Sequence, residues 1–273
     1  MNGWKRFWRR LTRRSAQLGR EGEDSVVQQL GRVHFWGRGG KVLRNLYLPR
    51  GDGRTTEIDI LYLTRKGLFV LESKNYSGVI SGSPSQAFWQ SRLSAGRSWY
   101  GGQKQETYEF YNPIWQNETH RNALRSYLPW DLPLISVIVF SDRCQLGHAA
   151  CFSPDLIVCQ QRQLPRSLRR AARRHRTVLS RREVEALFHQ LQPLAHASRS
   201  LKRKHVRDLK RGPGRDALRC PRCGGTLVLR RARRGKGAGQ QFYGCSRYPD
   251  CRYTRPALPG EPGSEGDGFP HPS

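Results

Sequence analysis

Five segments of the chain carry the apolar pattern expected of β-strands. Three of them, K-V-L-R-N-L-Y-L (41–48), T-E-I-D-I-L-Y-L-T (56–64) and G-L-F-V-L-E-S-K (67–74), are rich in branched and aromatic side chains and are separated by glycines. P-L-I-S-V-I-V-F-S (133–141) is a continuous apolar run, which is typical of a strand buried on both faces. D-L-I-V-C (155–159) predicts an edge strand.

Segments with helical spacing flank these strands. Apolar residues at helical intervals follow an acidic turn and predict a helix over residues 20–33. Asn112-Pro113 predicts the start of a second helix that extends to about Leu128. Arg-rich helices follow the last strand, and Ser180 with Glu183 forms a capping box for one of them. Strands and helices in this order predict an α/β fold with a mixed sheet flanked by helices.

The charge balance indicates a polyanionic partner. The chain of 273 residues has 49 Lys and Arg against 21 Asp and Glu, a formal charge of +28. Repulsion on that scale disfavours a compact chain unless an anionic partner offsets it, and nucleic acid is the natural candidate. The excess lies outside residues 21–161, so a near-neutral core carries basic arms.

Three charges interrupt the most strand-like part of the sequence. Asp59 lies within one strand, and Glu72 and Lys74 lie on one face of the next. If these strands pair around the turn between them, the three side chains can converge. Two carboxylates suit Mg²⁺ or Mn²⁺, and a nearby lysine suits an activated water or a phosphate, as metal-assisted phosphodiester hydrolysis requires. The alternative is a structural salt bridge on a solvated sheet face.

Several motifs around these charges resemble one family. G-R-E-G-E (19–23), E-I-D (57–59), G-L-F-V-L-E-S-K-N-Y-S-G (67–78) and N-P-I-W-Q-N-E-T-H (112–120) occur in the order found in the nuclease-related domain, NERD. That domain belongs to the PD-(D/E)xK nuclease superfamily, in which an Asp on one strand precedes Glu-x-Lys on the next. The resemblance covers roughly residues 16–135 and implies a restriction-endonuclease-like fold.

The resemblance also implies roles for individual residues. Asp59 and Glu72 would be metal ligands and Lys74 the catalytic lysine, while Glu23 would be a helix-borne acid of the site and Gln116 a polar residue flanking it. His120 shares a helical face with Gln116 and either belongs to the site or bonds locally. A fold retained without catalysis is a further alternative.

Four of the seven cysteines have the spacing of a metal site. Cys220, Cys223, Cys245 and Cys251 give C-x2-C-x21-C-x5-C, which suits tetrahedral Zn²⁺ in a closed structural site. A module with so few apolar residues would not fold without its metal. The other three cysteines are scattered, which argues against a secreted disulfide framework.

The cysteine segment resembles the C4 zinc ribbon of bacterial type IA DNA topoisomerases over about residues 218–255. In that family the ribbon binds DNA, particularly single strands. The resemblance implies that arginines neutralise phosphates and that aromatic rings stack on bases, although some rings must fill the small core. The candidates are Arg230, Arg231, Arg233, Arg234, Phe242, Tyr243, Arg247 and Tyr248.

The N-terminus has no apolar run long enough for a signal peptide or a membrane span. As a helix it would be basic, with Trp4, Phe7, Trp8 and Leu11 on one face. It is either a mobile tail or a contact to nucleic acid or to an anionic membrane. We expect a cytoplasmic, bacterial protein that can associate with the nucleoid.

The predicted organisation has six consecutive parts. Within the nuclease-like core, residues 81–111 are expected to form a loop with a short strand near 87–91. The parts are a basic N-terminal arm (1–15), a nuclease-like core (16–135), the remainder of the α/β domain with Arg-rich helices (136–192), a basic linker (193–217), a zinc ribbon (218–256) and a disordered tail (257–273).

These features together predict a metal-dependent nuclease that acts on DNA, with the ribbon and the basic linker supplying affinity largely independent of sequence. A homodimer would allow such a site to cut both strands. The alternative from another class is a non-catalytic DNA- or RNA-binding protein that uses an inactive nuclease-like domain as a scaffold.

Overall fold

The computed structural model describes residues 19–33, 40–50, 54–86, 88–97, 103–128, 131–210, 220, 225–232, 239 and 241–256. The predicted N-terminal arm and C-terminal tail lie outside these residues. The strands are β1 (Lys41–Pro49), β2 (Thr55–Thr64), β3 (Gly67–Lys74), β4 (Gly78–Ser81), β5 (Phe88–Arg97), β6 (Gln103–Tyr111), β7 (Leu134–Phe140), β8 (Cys144–Leu146), β9 (Cys151–Phe152), β10 (Leu156–Gln160), β11 (Leu227–Arg231), β12 (Gln241–Cys245) and β13 (Thr254–Pro256). The helices are α1 (helical over 19–31), α2 (Pro113–Tyr127), α3 (Leu164–Ala172), α4 (Arg181–Ala195) and α5 (Arg199–Lys210).

The main sheet is mixed, as predicted. Its strand order is β1-β2-β3-β7-β10-β9. The first three strands are antiparallel, β7 pairs with β3 and β10 in parallel, and β9 closes the edge in the antiparallel sense. All seven residues of β7 are buried, as its unbroken apolar run requires.

Helices cover both faces of this sheet. On one face α1 and α3 bury Val26, Leu30, Leu164 and Leu168 against the sheet. On the other face α2 and α4 bury apolar residues such as Leu124, Leu187 and Leu191. The capping box of Ser180 and Glu183 at the start of α4 is present. The result is an α/β domain whose core lies in two layers, one on each side of the sheet.

The alternation of faces breaks in the middle of β1 and β2. In a regular strand Ile58 and Ile60 would face the same side of the sheet. Instead Ile58 packs with α2 and α4, as Leu61 and Leu63 do, whereas Ile60 packs in the opposite layer. Asn45 lies across from this break and has a positive φ of 52°. Simple alternation along β2 therefore fails at Asp59, opposite the left-handed backbone of Asn45.

Two sequence predictions about strands were wrong. Residues 81–111 are not mainly loop, because β5 and β6 form an antiparallel hairpin in a second sheet of order β6-β5-β4-β8. Trp89 and Phe110 pair across it and pack against Phe140, while much of β6 is exposed and polar and so resembles loop in the sequence. The predicted edge strand at 155–159 corresponds to β10, which lies between β7 and the two-residue β9.

The C-terminal module is a separate three-stranded sheet of order β11-β12-β13. Its core consists of Cys220, Leu227, Tyr243, Cys245 and Cys251. The segment predicted as a basic linker contains α5, and α4 extends into it to Ala195. Among the helices that the structure describes, none is long and apolar enough to cross a membrane.

Candidate functional site

The predicted carboxylates meet where β2 and β3 separate. Ile60 and Leu71 form the last backbone pair of that ladder before the strands diverge. Beyond it, the Asp59 carboxylate accepts a hydrogen bond from the Ser73 backbone N–H at 3.0 Å. A side-chain oxygen thus satisfies a backbone donor that the neighbouring strand no longer reaches, and this holds Asp59 beside Glu72.

Glu72, Lys74 and Gln116 form a closed triangle of hydrogen bonds. Lys74 Nζ donates to Glu72 Oε1 at 2.7 Å and to Gln116 Oε1 at 2.9 Å, and Gln116 Nε2 donates to the same Glu72 oxygen at 2.7 Å. Glu72 is only 2% exposed. A buried carboxylate with a charged partner and an amide donor is well compensated, so the triangle holds all three side chains in place.

His120 connects the other oxygen of Glu72 to β2. Its Nε2 lies 3.1 Å from Glu72 Oε2, and its Nδ1 lies 2.6 Å from Thr56 Oγ1. Both His120 and Thr56 are buried. Sequence reasoning singled out His120 but not Thr56. The available signal was a polar residue at an inward position of β2.

The two carboxylates have opposite pKa shifts. Burial raises the pKa of Asp59 well above its ordinary value, and the charge of Glu72 raises it further against partial offsets from Ser73 and Lys74. Burial alone would raise the pKa of Glu72, but Lys74 and His120 outweigh it, so that pKa lies below its ordinary value. Burial would lower the pKa of Lys74, but Glu72 and Asp59 raise it, so Lys74 is charged at neutral pH. Glu72 is therefore ionised, and Asp59 is strained as an anion.

Glu23 stands beside the site and is paired with Arg44. Arg44 Nη2 lies 3.3 Å from Glu23 Oε2, and Arg44 Nη1 lies 2.6 Å from Asp24 Oδ1. Burial raises the pKa of Glu23 and Arg44 partly offsets this, while the charge of Glu23 contributes to the raised pKa of Asp59. Glu23 acts on Asp59 through its electrostatic field, and its direct contact is with Arg44.

Buried polar side chains fix α2 against the site. Asn112 caps the helix by accepting from the Ile114 N–H at 2.9 Å, and its amide donates to Gln86 O at 2.6 Å. Asn117 donates to Val70 O and to Ser136 Oγ, both at 2.8 Å, which ties α2 to β3 and β7. Asn112 thus serves as a cap, although it is spaced four residues from Gln116.

The cysteines of the C-terminal module converge. The Sγ atoms of Cys220, Cys245 and Cys251 lie within 4.8 Å of one another, and all three residues are buried. The 3.6 Å between the Sγ atoms of Cys220 and Cys251 is too long for a disulfide, for which about 2.05 Å is usual. Two thiolates at about 2.3 Å from one tetrahedral Zn²⁺ would have about this separation, so the sulfurs fit zinc. Cys223, the predicted fourth ligand, lies outside the described residues.

The predicted DNA-contacting residues of this module divide into two groups. Arg230, Arg231, Arg247 and Tyr248 are exposed, and Arg230 lies 5.9 Å from the centre of the Tyr248 ring. Tyr243 is 1% exposed and fills the core, so its ring has no face open to a base. Phe242 is half-buried, and Arg233 and Arg234 lie outside the described residues.

Two family models match the segments in which these residues lie. The model described as nuclease-related domain matches residues 18–141. This chain contains a nuclease-related domain. The model described as topoisomerase DNA binding C4 zinc finger matches residues 218–260, so the C-terminal module is a zinc ribbon of that type.

Three relatives are informative. An uncharacterized protein of Bacillus anthracis is 27% identical over 191 residues, covering 70% of this chain and 83% of that protein. DNA topoisomerase 1 of Archaeoglobus fulgidus is 39% identical over 79 residues, which is 28% of this chain but 11% of the topoisomerase. DNA topoisomerase 1 of Methanocaldococcus jannaschii is 56% identical over 37 residues, 14% of this chain and 4% of that protein. No solved structure matches this chain at a significant level.

The donor set of the nuclease-related domain fits a hard divalent cation. Carboxylate oxygens are the ligands that Mg²⁺ prefers, and Asp59 and Glu72 supply them side by side. Burial, and after it the charge of Glu72, raises the pKa of Asp59, and a cation beside the Asp59 carboxylate would favour its ionised form. The candidate site is a single cluster with Glu23 at its margin. It comprises Asp59, Glu72, Lys74 and Gln116.

Proposed function

We propose that this protein is a divalent-metal-dependent nuclease that hydrolyses phosphodiester bonds of DNA. The observation that carries the proposal is the assembly of Asp59, Glu72, Lys74 and Gln116 at the point where β2 and β3 separate. A structural salt bridge would need only Lys74 and one acid. The chain instead encloses a second carboxylate whose pKa is raised there, which favours a metal-binding role.

Each residue has a distinct task in this proposal. Asp59 and Glu72 would hold Mg²⁺ or Mn²⁺, which when bound supplies a Lewis acid and a water of lowered pKa. Lys74, charged and directed by Glu72 and Gln116, would hold the scissile phosphate or the attacking water. Gln116 and His120 would keep Glu72 oriented, and Glu23 would add negative charge at the margin.

The zinc ribbon favours DNA as the substrate. Two of the relatives are DNA topoisomerases, and the family model that matches the ribbon is named for DNA binding. The exposed Arg230, Arg231, Arg247 and Tyr248 suit a backbone and a stacked base. Free cysteines at positions 144, 151 and 159 fit the reducing cytoplasm that we propose as its location. Contact with a membrane and dimerisation stay predictions.

The basic helix α5 would connect the ribbon to the nuclease site. His205, 7% exposed, lies with Nδ1 3.0 Å from Thr55 Oγ1 and with Nε2 3.8 Å from Glu57 Oε2. Lys202 Nζ lies 5.6 Å from the centre of the Tyr47 ring. These contacts anchor α5 on β1 and β2. One of them is with Glu57, which precedes Asp59 by two residues. Lys202, Arg203 and Arg207 are exposed and would bind phosphates of DNA that reaches the site.

A cleavage assay tests the proposal. We expect purified protein to degrade DNA when Mg²⁺ or Mn²⁺ is added, and Lys74→Ala to lower the rate by about 10²-fold or more, the scale for loss of a charge-stabilising group. Lys66→Ala is the matched control, because Lys66 lies in the β2–β3 turn at the other end of these strands. Single-stranded DNA, double-stranded DNA and RNA are compared as substrates. Equal cleavage by the wild type and Lys74→Ala would contradict the proposal.

One observation favours a second candidate, a DNA- or RNA-binding scaffold without catalysis. Both oxygens of Glu72 already have protein partners, so the network is stable without a metal. DNA binding without cleavage of any substrate, with either cation, would favour this function.

A further inference from the structure

The outward face of α3 is a dense row of arginines. Leu164, Leu168, Ala171 and Ala172 bury the inner face of the helix against the sheet. The outer side of the helix and the turn that follows it carry five exposed arginines, which we call the arginine face: Arg166, Arg169 and Arg170 on α3, and Arg173 and Arg174 directly after it. Five like charges within about 12 Å, at about 1.5 Å per residue, repel one another and cost stability.

Nearby acids do not neutralise this face. Asp155 lies 3.7 Å from His175 Nε2, and Asp142 accepts from the backbone N–H of Arg162 at 3.0 Å. Within the described ranges, the side chains of Arg166, Arg169 and Arg173 have no hydrogen bond or salt bridge. Their charges are therefore available to an external anion.

An aromatic ring orients the remaining two arginines. The guanidinium of Arg170 lies 4.1 Å from the centre of the Phe152 ring, and that of Arg174 lies 5.7 Å from it. Stacking on a ring leaves the N–H groups at the edge of a guanidinium free to bind phosphate oxygens, and it reduces the entropy lost on binding. The face is therefore partly preorganised.

The arginine face begins at the margin of the carboxylate site. Gln161, just before α3, donates to Gly22 O at 3.4 Å, and a Cβ on Gly22 would lie 3.4 Å from Ser73 Oγ. Arg143 Nη2 donates to Asn75 Oδ1 at 2.6 Å, directly after Lys74. At the far end, Lys66 Nζ donates to His175 O at 2.9 Å, beside the β2–β3 turn. The helix thus leads from the site along the flank of the domain.

We infer that the arginine face binds the sugar-phosphate backbone of the DNA substrate and directs the strand away from the carboxylate site along α3. About 12 Å matches the axial length of three to four nucleotides, at about 3.4 Å each. Binding there is independent of base sequence, because it contacts phosphates only. This inference rests on the proposed function for its substrate, and it places a second DNA-binding surface outside the zinc ribbon and α5.

The test compares two triple variants of the full, zinc-loaded chain. Arg166→Gln/Arg169→Gln/Arg173→Gln removes three charges from the face and leaves the pair on Phe152. Arg32→Gln/Arg92→Gln/Arg125→Gln is the matched control, because it removes the same charge from three exposed arginines, directly after α1, on β5 and on α2. Binding to a labelled DNA duplex is measured by anisotropy against salt concentration, without divalent cations so that no cleavage occurs.

We expect the α3 triple variant to bind DNA about tenfold or more weakly than the control. Its slope of log affinity against log salt should fall by about two to three, at about 0.9 for each phosphate that the protein no longer neutralises. Its melting temperature should be unchanged or higher, because repulsion is relieved. Equal DNA affinity and slope in the two triple variants would overturn the inference.

Two further measurements distinguish DNA binding by the arginine face from membrane binding and from cleavage. If the α3 triple variant loses binding to phosphatidylserine vesicles but keeps its DNA affinity, the face binds membranes and the inference is wrong. Cleavage is assayed separately with Mg²⁺. If the wild type does not cleave while the DNA-binding difference persists, the proposed nuclease fails and the DNA-binding face stands.

Discussion

The carboxylate site and the cysteine site of this chain are held together in different ways. The carboxylate site is assembled by protein groups alone, since Lys74, Gln116 and His120 satisfy Glu72 inside a large α/β core. The ribbon core consists of three cysteines, Leu227 and Tyr243, with Leu229 and Tyr253 packed around it. Protein contacts hold the carboxylates in place, whereas the described part of the ribbon has only a small core around its cysteines.

A bound metal would therefore have a different role at each site. A domain with its own apolar core can tolerate an acid of raised pKa such as Asp59, and a cation bound there would not be needed for folding. A module with a minimal core needs a closed tetrahedral centre for folding, which leaves no open position. Three predictions test this contrast, in order of decreasing expected effect.

Cys245→Ser should unfold the ribbon and leave the α/β domain folded. Loss of a thiolate ligand removes most of the metal's contribution, which is about 10 kcal/mol or more for structural zinc. Zinc content, thiol reactivity and limited proteolysis measure the effect. Cys144→Ser, at a buried cysteine of the α/β domain, is the control and should keep its zinc. A protease-resistant ribbon in Cys245→Ser would contradict the contrast.

Glu72→Ala should destabilise the α/β domain by about 3 kcal/mol, because it removes the buried partner of the largely enclosed Lys74 and leaves that charge without its ion pair. Urea denaturation without added Mg²⁺ measures this. Glu118→Ala breaks a more exposed pair with Arg121 and should cost about 1 kcal/mol or less. Equal losses in the two variants would show that the network around Glu72 does not hold the site together.

Asp59→Asn should do the opposite and raise the melting temperature by a few degrees when no Mg²⁺ is present. The pKa of Asp59 in the folded state is raised above 3.8. The Asp59 carboxyl therefore stabilises the fold fully below pH 3.8, and this stabilisation is lost as pH rises toward the folded-state pKa. The folded-state pKa of Glu72 is lowered below 4.5, so its contribution is present above that pH and is lost as pH falls.

The matched measurement for Asp59→Asn is melting temperature against pH for the wild type, Asp59→Asn and Glu72→Gln. The gain of Asp59→Asn over the wild type should grow as pH rises from about 4, near the ordinary value of an aspartate. The deficit of Glu72→Gln should shrink as pH falls below 4.5, toward the lowered pKa of Glu72. A destabilised Asp59→Asn at neutral pH would show that the Asp59 anion is not strained.

Much of this protein was predictable because its signals are local. The run of β7, the capping box of α4 and the cysteine spacing each follow from residues close together in sequence. Asp59, Glu72, Lys74 and Gln116 were predicted as one site from motifs, and the structure brings them together. The hairpin of β5 and β6 was missed because its inward residues are few and its exposed strand is polar.

The candidate site residues could be predicted from the sequence, since strand propensity, ligand type and spacing are properties of short segments. Their mutual arrangement depends on the tertiary structure. The break in alternation at Asn45 and Asp59, the link from Thr56 through His120 to Glu72, and the route of α3 away from the site all join residues distant in sequence. Burial creates the opposite pKa shifts of Asp59 and Glu72, and burial exists only once the chain has packed.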